Sequence, residues 1–441
     1  SGDLHITNPG IWSLLPDTIF INVKELIEDG LDLKGKCLGV TRISSIKDLD
    51  NLITSLSMVI SLVSKETSQE VVMDGLVSLL SKHSKDISEL ELRLTNAFST
   101  ASTSSKYGKS PTLVSFLVQL GSDTKIIKAI LSAYKEYTKI TPIPKIGLII
   151  DYEKGNVTDV SDVLSEIIAL GGQIFLTKEQ ASNKGILRVD IKNAGTTSIK
   201  LQSLSINLPR LAFESNKDET YFRARLALLM KPALSSMSLR KKDVSDLTRR
   251  GLNPILASNT QYMQRGSVSL VINLVGLREA VFHILGYEGN KEGKDILYKV
   301  IDTAVSVAKK KGKETGDTVN VCMVESEGSS RFATLDGEKY GKMSILKTIE
   351  GESYSEGIAF DAGEISGFSA KSDKIVECNR MAKMLDGGLL TQIKFSKDAK
   401  ADEIKNIIEK ASDLLSSFKP VKKVAICGNC GLKDEKLGDK C

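Results

Sequence analysis

"SINLPRLAFES", from Ser205 to Ser215, closes an apolar run with a proline. Proline cannot donate to a sheet ladder, so Asn207, Pro209 and Arg210 read as the end of a strand. Arg210 is then available for a phosphate or carboxylate, or for a salt bridge at the strand end. Working outward, "KIGLII" (145–150), "GQIFL" (172–176), "IKLQSLSINL" (199–208), "SVSLVINLV" (267–275) and "TVNVCMV" (318–324) have the same strand character. Helical spacing fills the gaps at 160–170, 220–231, 276–285 and 294–310. Strands alternating with helices over so long a span predict an α/β sheet or barrel. Upstream, residues 43–140 read as a helical block, broken by a Ser/Thr-rich loop at 99–111 and the strand-like "TLVSFLVQL". A last helix, "ADEIKNIIEKASDLLSSF", is expected to run to Pro420.

The chain has 441 residues, 41% of them apolar, which is enough for a large core. It holds 60 basic and 55 acidic residues and only 5% aromatics, so a nucleic-acid binder built on stacked bases is not indicated. Basic runs at Arg240–Lys242, Arg249–Arg250 and Lys309, Lys310 and Lys311 are flanked by acids and read first as solvated. No signal-peptide layout or long apolar run appears. Six cysteines do not make a disulfide scaffold, and a reducing, cytoplasmic setting is expected.

Half of those cysteines crowd the end, in "CGNCGLKDEKLGDKC" (427–441). A C-x-x-C turn supplies two zinc ligands, and glycines give the turn its freedom. Cys427, Cys430 and Cys441 are the predicted ligands of one structural zinc ion, with a fourth from a cysteine beyond Cys441 or an outside group. A redox role would call for a strand before the pair and a helix after it, whereas "LKDEKLGDK" is a turn-rich spacer.

Five stretches together, "SINLPRLAFES", "RGSVSLVINLVGLREA" (265–280), "VESEGSSRFATLD" (324–336), "DGGLLTQIKF" (386–395) and "CGNCG", resemble in content and order the class III anaerobic ribonucleotide reductases. "GDLHITNPGIWSLLPDTIFINVKELIEDGL" (2–31) looks like the segment that leads into that family's barrel. The resemblance implies a ten-stranded α/β barrel of the glycyl radical enzyme type over residues 1–420, a zinc ribbon at 421–441, and a homodimer. In that family a glycyl radical loop follows the ribbon, which here would lie beyond Cys441. The radical takes a hydrogen atom from a finger-loop cysteine, whose thiyl then attacks the ribose 3′ hydrogen.

That cysteine belongs upstream of "NLPR", yet the stretch from Ile174 to Ser205 contains none, and no cysteine occurs between Cys37 and Cys322. Thr7 and Asn8 stand where the family usually has a His-Asp pair, and Phe20 and Ile21 where it has a cysteine-bearing strand. The expectation is a catalytically degenerate relative kept for binding or regulation. The alternatives are an active anaerobic ribonucleoside triphosphate reductase and an RNA- or ribosome-binding factor. Arg210, Glu279 and Arg331 are the candidate ligand-binding residues, and Lys309, Lys310 and Lys311 the candidate basic patch. Glu279, near the start of a helix, has capping as its simpler role. Cys322 and Cys378 read as buried structural thiols. His5, His83 and His283 share no metal-ligand spacing.

Overall fold

The computed structural model describes residues 2–33, 42–103, 112–153, 156–178, 199–258, 268–286, 291–342, 352–431 and 433. One sheet organises it. Strands β1 (Leu4–Ile6), β2 (Thr18–Asn22), β5 (Glu70–Asp74), β6 (Leu113–Gln119), β7 (Ile146–Tyr152), β8 (Gln173–Lys178), β9 (Ile199–Asn207), β10 (Val268–Val275), β11 (Thr318–Met323), β12 (Ile358–Asp361), β13 (Gly388–Leu389), β14 (Thr391–Phe395) and β15 (Ser417–Lys422) belong to it. The short strands β3 (Leu31–Asp32) and β4 (Arg42–Ile43) pair only with each other.

The order β12-β14-β15-β8-β7-β6-β5-β2-β9-β10-β11-β13 contains two parallel halves. In the first, β2, β5, β6, β7 and β8 are successive neighbours. In the second, β9, β10, β11 and β13 are. The halves meet antiparallel at β2–β9 and at β8–β15. Strands β13 and β14 are consecutive, separated by Leu390, whose N–H donates to Met323 and whose carbonyl accepts from Ile358. The path therefore returns on itself as a barrel-like α/β sheet. Its count is thirteen strands rather than the expected ten. The excess comes from β1 laid beside β9, from β12 laid beside β14, and from the cut at Leu390.

Three further expectations fail for physical reasons. The block at 43–140 contributes β5 to the sheet as well as β6, the strand expected at "TLVSFLVQL". The five residues of β5 merge in sequence with the helix that follows, and only Gly75, at a φ of 82°, marks the turn between them. The last helix stops at Leu414, and the run through Pro420 is β15. Pro420 faces β14, clear of the β8 pairing at 417–418, so its missing N–H costs no bond there. The helix expected to end before Pro232 runs from Glu219 to Arg249. An interior proline costs about 3 kcal/mol; burial of Phe222, Leu226, Met230, Leu234 and Met237 offsets it.

The main core lies between sheet and helices. Ile19 and Ile21 of β2, Val71 and Met73 of β5, and Val319, Val321 and Met323 of β11 all join it. Because strand side chains alternate, the residues between them face the lumen. These include Thr18, Phe20, Glu70, Ser115, Asn273 and Cys322, so the lumen is markedly more polar than the outer layer.

Candidate functional site

Three strand–helix junctions meet where β9, β10 and β11 end. At the first, the Asn207 side chain caps the helix Leu208–Glu214 by accepting from the Arg210 N–H at 3.2 Å, with Pro209 in the opening turn. Asn207 also donates to Asp336 at 2.9 Å and to the Gly2 carbonyl at 2.9 Å. Arg210 Nε donates to the other Asp336 oxygen at 2.5 Å. Tyr354 donates to Asp336 at 2.9 Å, and the Asp336 charge, after burial, drives the Tyr354 phenol far above its ordinary range. Arg210 is only 8% exposed, and Gly2 lies so close that a Cβ there would overlap the guanidinium. The salt-bridge reading of Arg210 is the one this geometry fits.

The second junction opens the helix Leu277–Leu285 at Gly276, whose φ of 76° no β-carbon residue adopts easily. Glu279, in the first turn, accepts from its own N–H. Its two oxygens accept from the Ser355 N–H at 2.7 Å and the Ser355 hydroxyl at 2.6 Å, and burial pushes its carboxyl up. Tyr354 and Ser355 thus link Glu279 to the Arg210–Asp336 pair. The third junction opens the helix Gly328–Tyr340. A helix N-terminus is an anion site by construction, but here Glu356 accepts from the Ser326 N–H at 2.9 Å and Ser326 Oγ from the Gly328 N–H at 3.0 Å. The His5 ring packs against Gly328 and edge-on to Phe332. Arg331 is exposed, with one nitrogen 3.4 Å from the Leu4 carbonyl. The structure joins Arg210 and Glu279 through one loop and sets Arg331 apart, beside β1.

The lumen carries a second polar group. Ser115 donates to Glu70, whose carboxyl burial raises to about 8. Lys200 lies over the Phe20 ring at 5.7 Å, and Lys419 lies over Phe175 at 5.0 Å while pairing with Glu325 at 2.7 Å. Asn273 binds both the Val324 N–H and its carbonyl, at 2.9 and 3.0 Å. Cys322 Sγ is 3.6 Å from Asn273 Oδ1, so this thiol faces the lumen. Cys378 is outside, buried against Thr391 on a helix, and burial pushes its thiol up to about 12. Residues 179–198, within the interval that lacks a cysteine, lie outside the described residues, as do Cys37, Cys441 and 104–111.

Sequence reasoning missed one buried pair. Arg240, read as part of a solvated basic run, is 1% exposed and grips Asp17 with two nitrogens, at 2.6 and 2.9 Å. Asp17 also accepts from Ser68 and from the Gln202 and Ser203 N–H groups. Burial alone would raise its pKa, but the Arg240 charge and these bonds hold it below the ordinary value. Lys309 and Lys310 are exposed on the helix Lys291–Thr315, as the solvated reading expects, and Lys311 is 3.9 Å from Glu314. The three histidines are apart: His5 lies on Gly328, His283 on Phe213, and His83 ends the helix Leu76–His83.

At the C-terminal segment, Cys427 and Cys430 sit on a turn closed by the Gly431 N–H donating to the Cys427 carbonyl at 2.9 Å, with Ile426 bridged to Lys433. Lys433 donates to the carbonyls of Thr138 and Leu170, the ends of two barrel helices, at 2.8 and 3.1 Å. Two thiols on a tight turn flanked by an antiparallel bridge fit half of a tetrahedral zinc set. Among the described residues no helix is long and apolar enough to cross a membrane.

Among curated proteins none matches the sequence. In structure the chain is similar to the anaerobic ribonucleotide reductase of Thermotoga maritima in complex with dATP and CTP, at 16% identity, covering 99% of this chain and 79% of that one, with a TM-score of 0.73. It is also similar to the hydroxyproline dehydratase of Clostridioides difficile, at 11% identity over 80% of this chain and 59% of that one, with a TM-score of 0.58. A third likeness is to the class Id ribonucleotide reductase alpha subunit of Actinobacillus ureae, at 12% identity over 96% and 88%, with a TM-score of 0.52. These likenesses concern the fold. A family profile described as anaerobic ribonucleoside-triphosphate reductase matches residues 143–441, well over half the sequence, and with the barrel of two parallel halves it establishes that the chain belongs to that family.

Proposed function

We propose that this chain is a catalytically degenerate member of the family, its barrel kept for binding or regulation rather than for ribonucleotide reduction. One observation carries the reading: the stretch from Ile174 to Ser205, which leads into the "NLPR" strand, holds no cysteine. Hydrogen-atom abstraction from ribose through a thiyl has no substitute among ordinary side chains, so loss of that thiol removes the step. The mouth supports the same conclusion. Arg210 is committed to Asp336, and Glu356 stands at the start of the Gly328–Tyr340 helix, where an incoming anion would be held. In this reading Cys427, Cys430 and Cys441 hold a structural zinc ion, which supplies fold stability and no reaction step. The test is anaerobic turnover of full-length protein with a radical-generating activase and each ribonucleoside triphosphate. No deoxynucleotide should form.

The second reading, an active reductase, draws on Cys322, the lumen-facing thiol of β11. Deoxynucleotide formation that disappears in Cys322→Ser would establish it and overturn the first. The third, an RNA- or ribosome-binding factor, draws on the exposed Lys309 and Lys310.

A further inference from the structure

A cleft of about 170 Å³ opens beside the mouth, where the start of the Leu277–Leu285 helix faces β12 and β14. Its volume equals roughly five or six waters, enough for a phosphate or a small phosphate ester. Arg278, Lys394, Gln392 and Ser353 line it, together with Glu279 and Glu356. Lys394 and Gln392 come from the face of β14 opposite Ile393 and Phe395, which are in the core. The cleft therefore opens on the lumen side of the sheet.

Two carboxylates in the wall would repel an anion if they were turned toward it. They are turned away. Glu279 spends both oxygens on Ser355, and Glu356 accepts from the Ser326 N–H, so each points its charge into a protein donor. Burial also raises both carboxyls. Arg278 and Lys394 are both exposed and line the cleft. A fork of donors from an arginine and a point charge from a lysine suit an oxyanion with several acceptor oxygens. The floor is rigid. Gly357 lies so near the Leu390 carbonyl that a Cβ would come within 2.2 Å, and Tyr354 is tied to Asp336.

We infer that this cleft is a binding site for a phosphate group, held by Arg278 and Lys394 with Gln392 and Ser353 as neutral donors. It is separate from the Arg210–Asp336 pair and does not depend on whether the chain reduces ribonucleotides. Turnover can therefore be absent with the site intact, or present with the site refuted.

The test uses the full-length protein, inorganic phosphate as the probe, and chloride at matched ionic strength as the control. Phosphate should raise the melting temperature by mass action and broaden its own ³¹P resonance. Lys394→Gln alone should weaken the apparent affinity about tenfold, the worth of one charge-assisted hydrogen bond. Arg278→Gln with Lys394→Gln should remove the response while leaving the melting temperature in chloride unchanged. If the double variant fails to fold, the single variant still decides. Arg331→Gln, outside the cleft, should bind like wild type. Adenosine monophosphate distinguishes the source: tighter binding than phosphate points to a phosphate monoester, equal or weaker binding to the free anion. A response no larger than that of chloride, or one that survives Lys394→Gln, would overturn the site.

Discussion

Replacing Glu70 by Gln should stabilise the protein at pH 8 and flatten its stability between pH 5 and 8. Glu70 is 6% exposed, on the lumen face of β5, and accepts from the Ser115 hydroxyl. Burial raises its carboxyl to about 8, against the pull of Ser115, Lys419 and Lys200 and with a push from Glu325. The unfolded chain titrates near 4.3, so the folded state keeps a proton that the unfolded state has already released. This contribution is fully present below about pH 4, and it is lost as pH rises toward 8. A gap of roughly 3.5 units corresponds to about 5 kcal/mol, an upper bound that water in a polar lumen lowers toward 2. Glutamine has the same shape, can accept from Ser115 and does not titrate. Denaturant unfolding of both proteins at pH 5.0, 6.5 and 8.5 reads the difference. The variant's advantage should grow with pH to about 2–5 kcal/mol. Parallel pH profiles for the two proteins would refute the assignment of Glu70 as a carboxyl held protonated.

Other outcomes follow from the same geometry. Arg240→Met and Arg210→Ala should each cost about 3–5 kcal/mol in denaturant unfolding, because each leaves a buried aspartate, Asp17 or Asp336, without its cation. Metal analysis of full-length protein should find about one zinc per chain, lost in Cys427→Ser; a Cys427–Cys430 disulfide without metal would contradict the zinc set. If the partner is a ribonucleoprotein, reversing charge at Lys309, Lys310 and Lys311 should weaken cosedimentation with ribosomal particles, as added salt does, and leave the phosphate response unchanged.

The strands were legible where both faces are buried. "SVSLVINLV" and "KIGLII" are near-continuous apolar runs, the signature of a covered parallel strand. β5 was not, because its three apolar residues, Val71 to Met73, are too few to show a strand period beside the helices on either side. Strand ends were legible too: the proline after Asn207 and the glycine after Val275 locate two of the three junctions. Their partners were not. Asp336 is 126 positions from Arg210 and Asp17 is 223 from Arg240, and no local pattern connects them. An Arg-Lys-Lys run on a helix looks solvated until the crossing of the chain brings an aspartate under its first member. The lumen-facing Cys322 was hidden for a related reason, since a thiol in an apolar strand gives no sign of which face it takes.

The two halves of the barrel are sewn together sparingly. Each antiparallel seam holds two residue pairs, 18–200 and 19–199 on one side, 176–418 and 177–417 on the other. Within each half the ladders are mostly longer, seven pairs for β9–β10 and six for β6–β7. A ring with two short joints between stiff arcs deforms at the joints first, changing its bore while the arcs keep their shape. The Asp17–Arg240 clasp sits beside one joint, where Asp17 holds the Gln202 and Ser203 amides next to the 199–200 pairing. The opposite joint is fastened from outside, where Ser161 donates to Glu409 at 2.6 Å and Lys405 pairs with Asp162 at 2.6 Å between the helices that precede β8 and β15. One fastening is a buried ion pair and the other a pair open to water and salt, so the joint beside β8 and β15, the side on which Lys419 and Phe175 lie, is the weaker of the two.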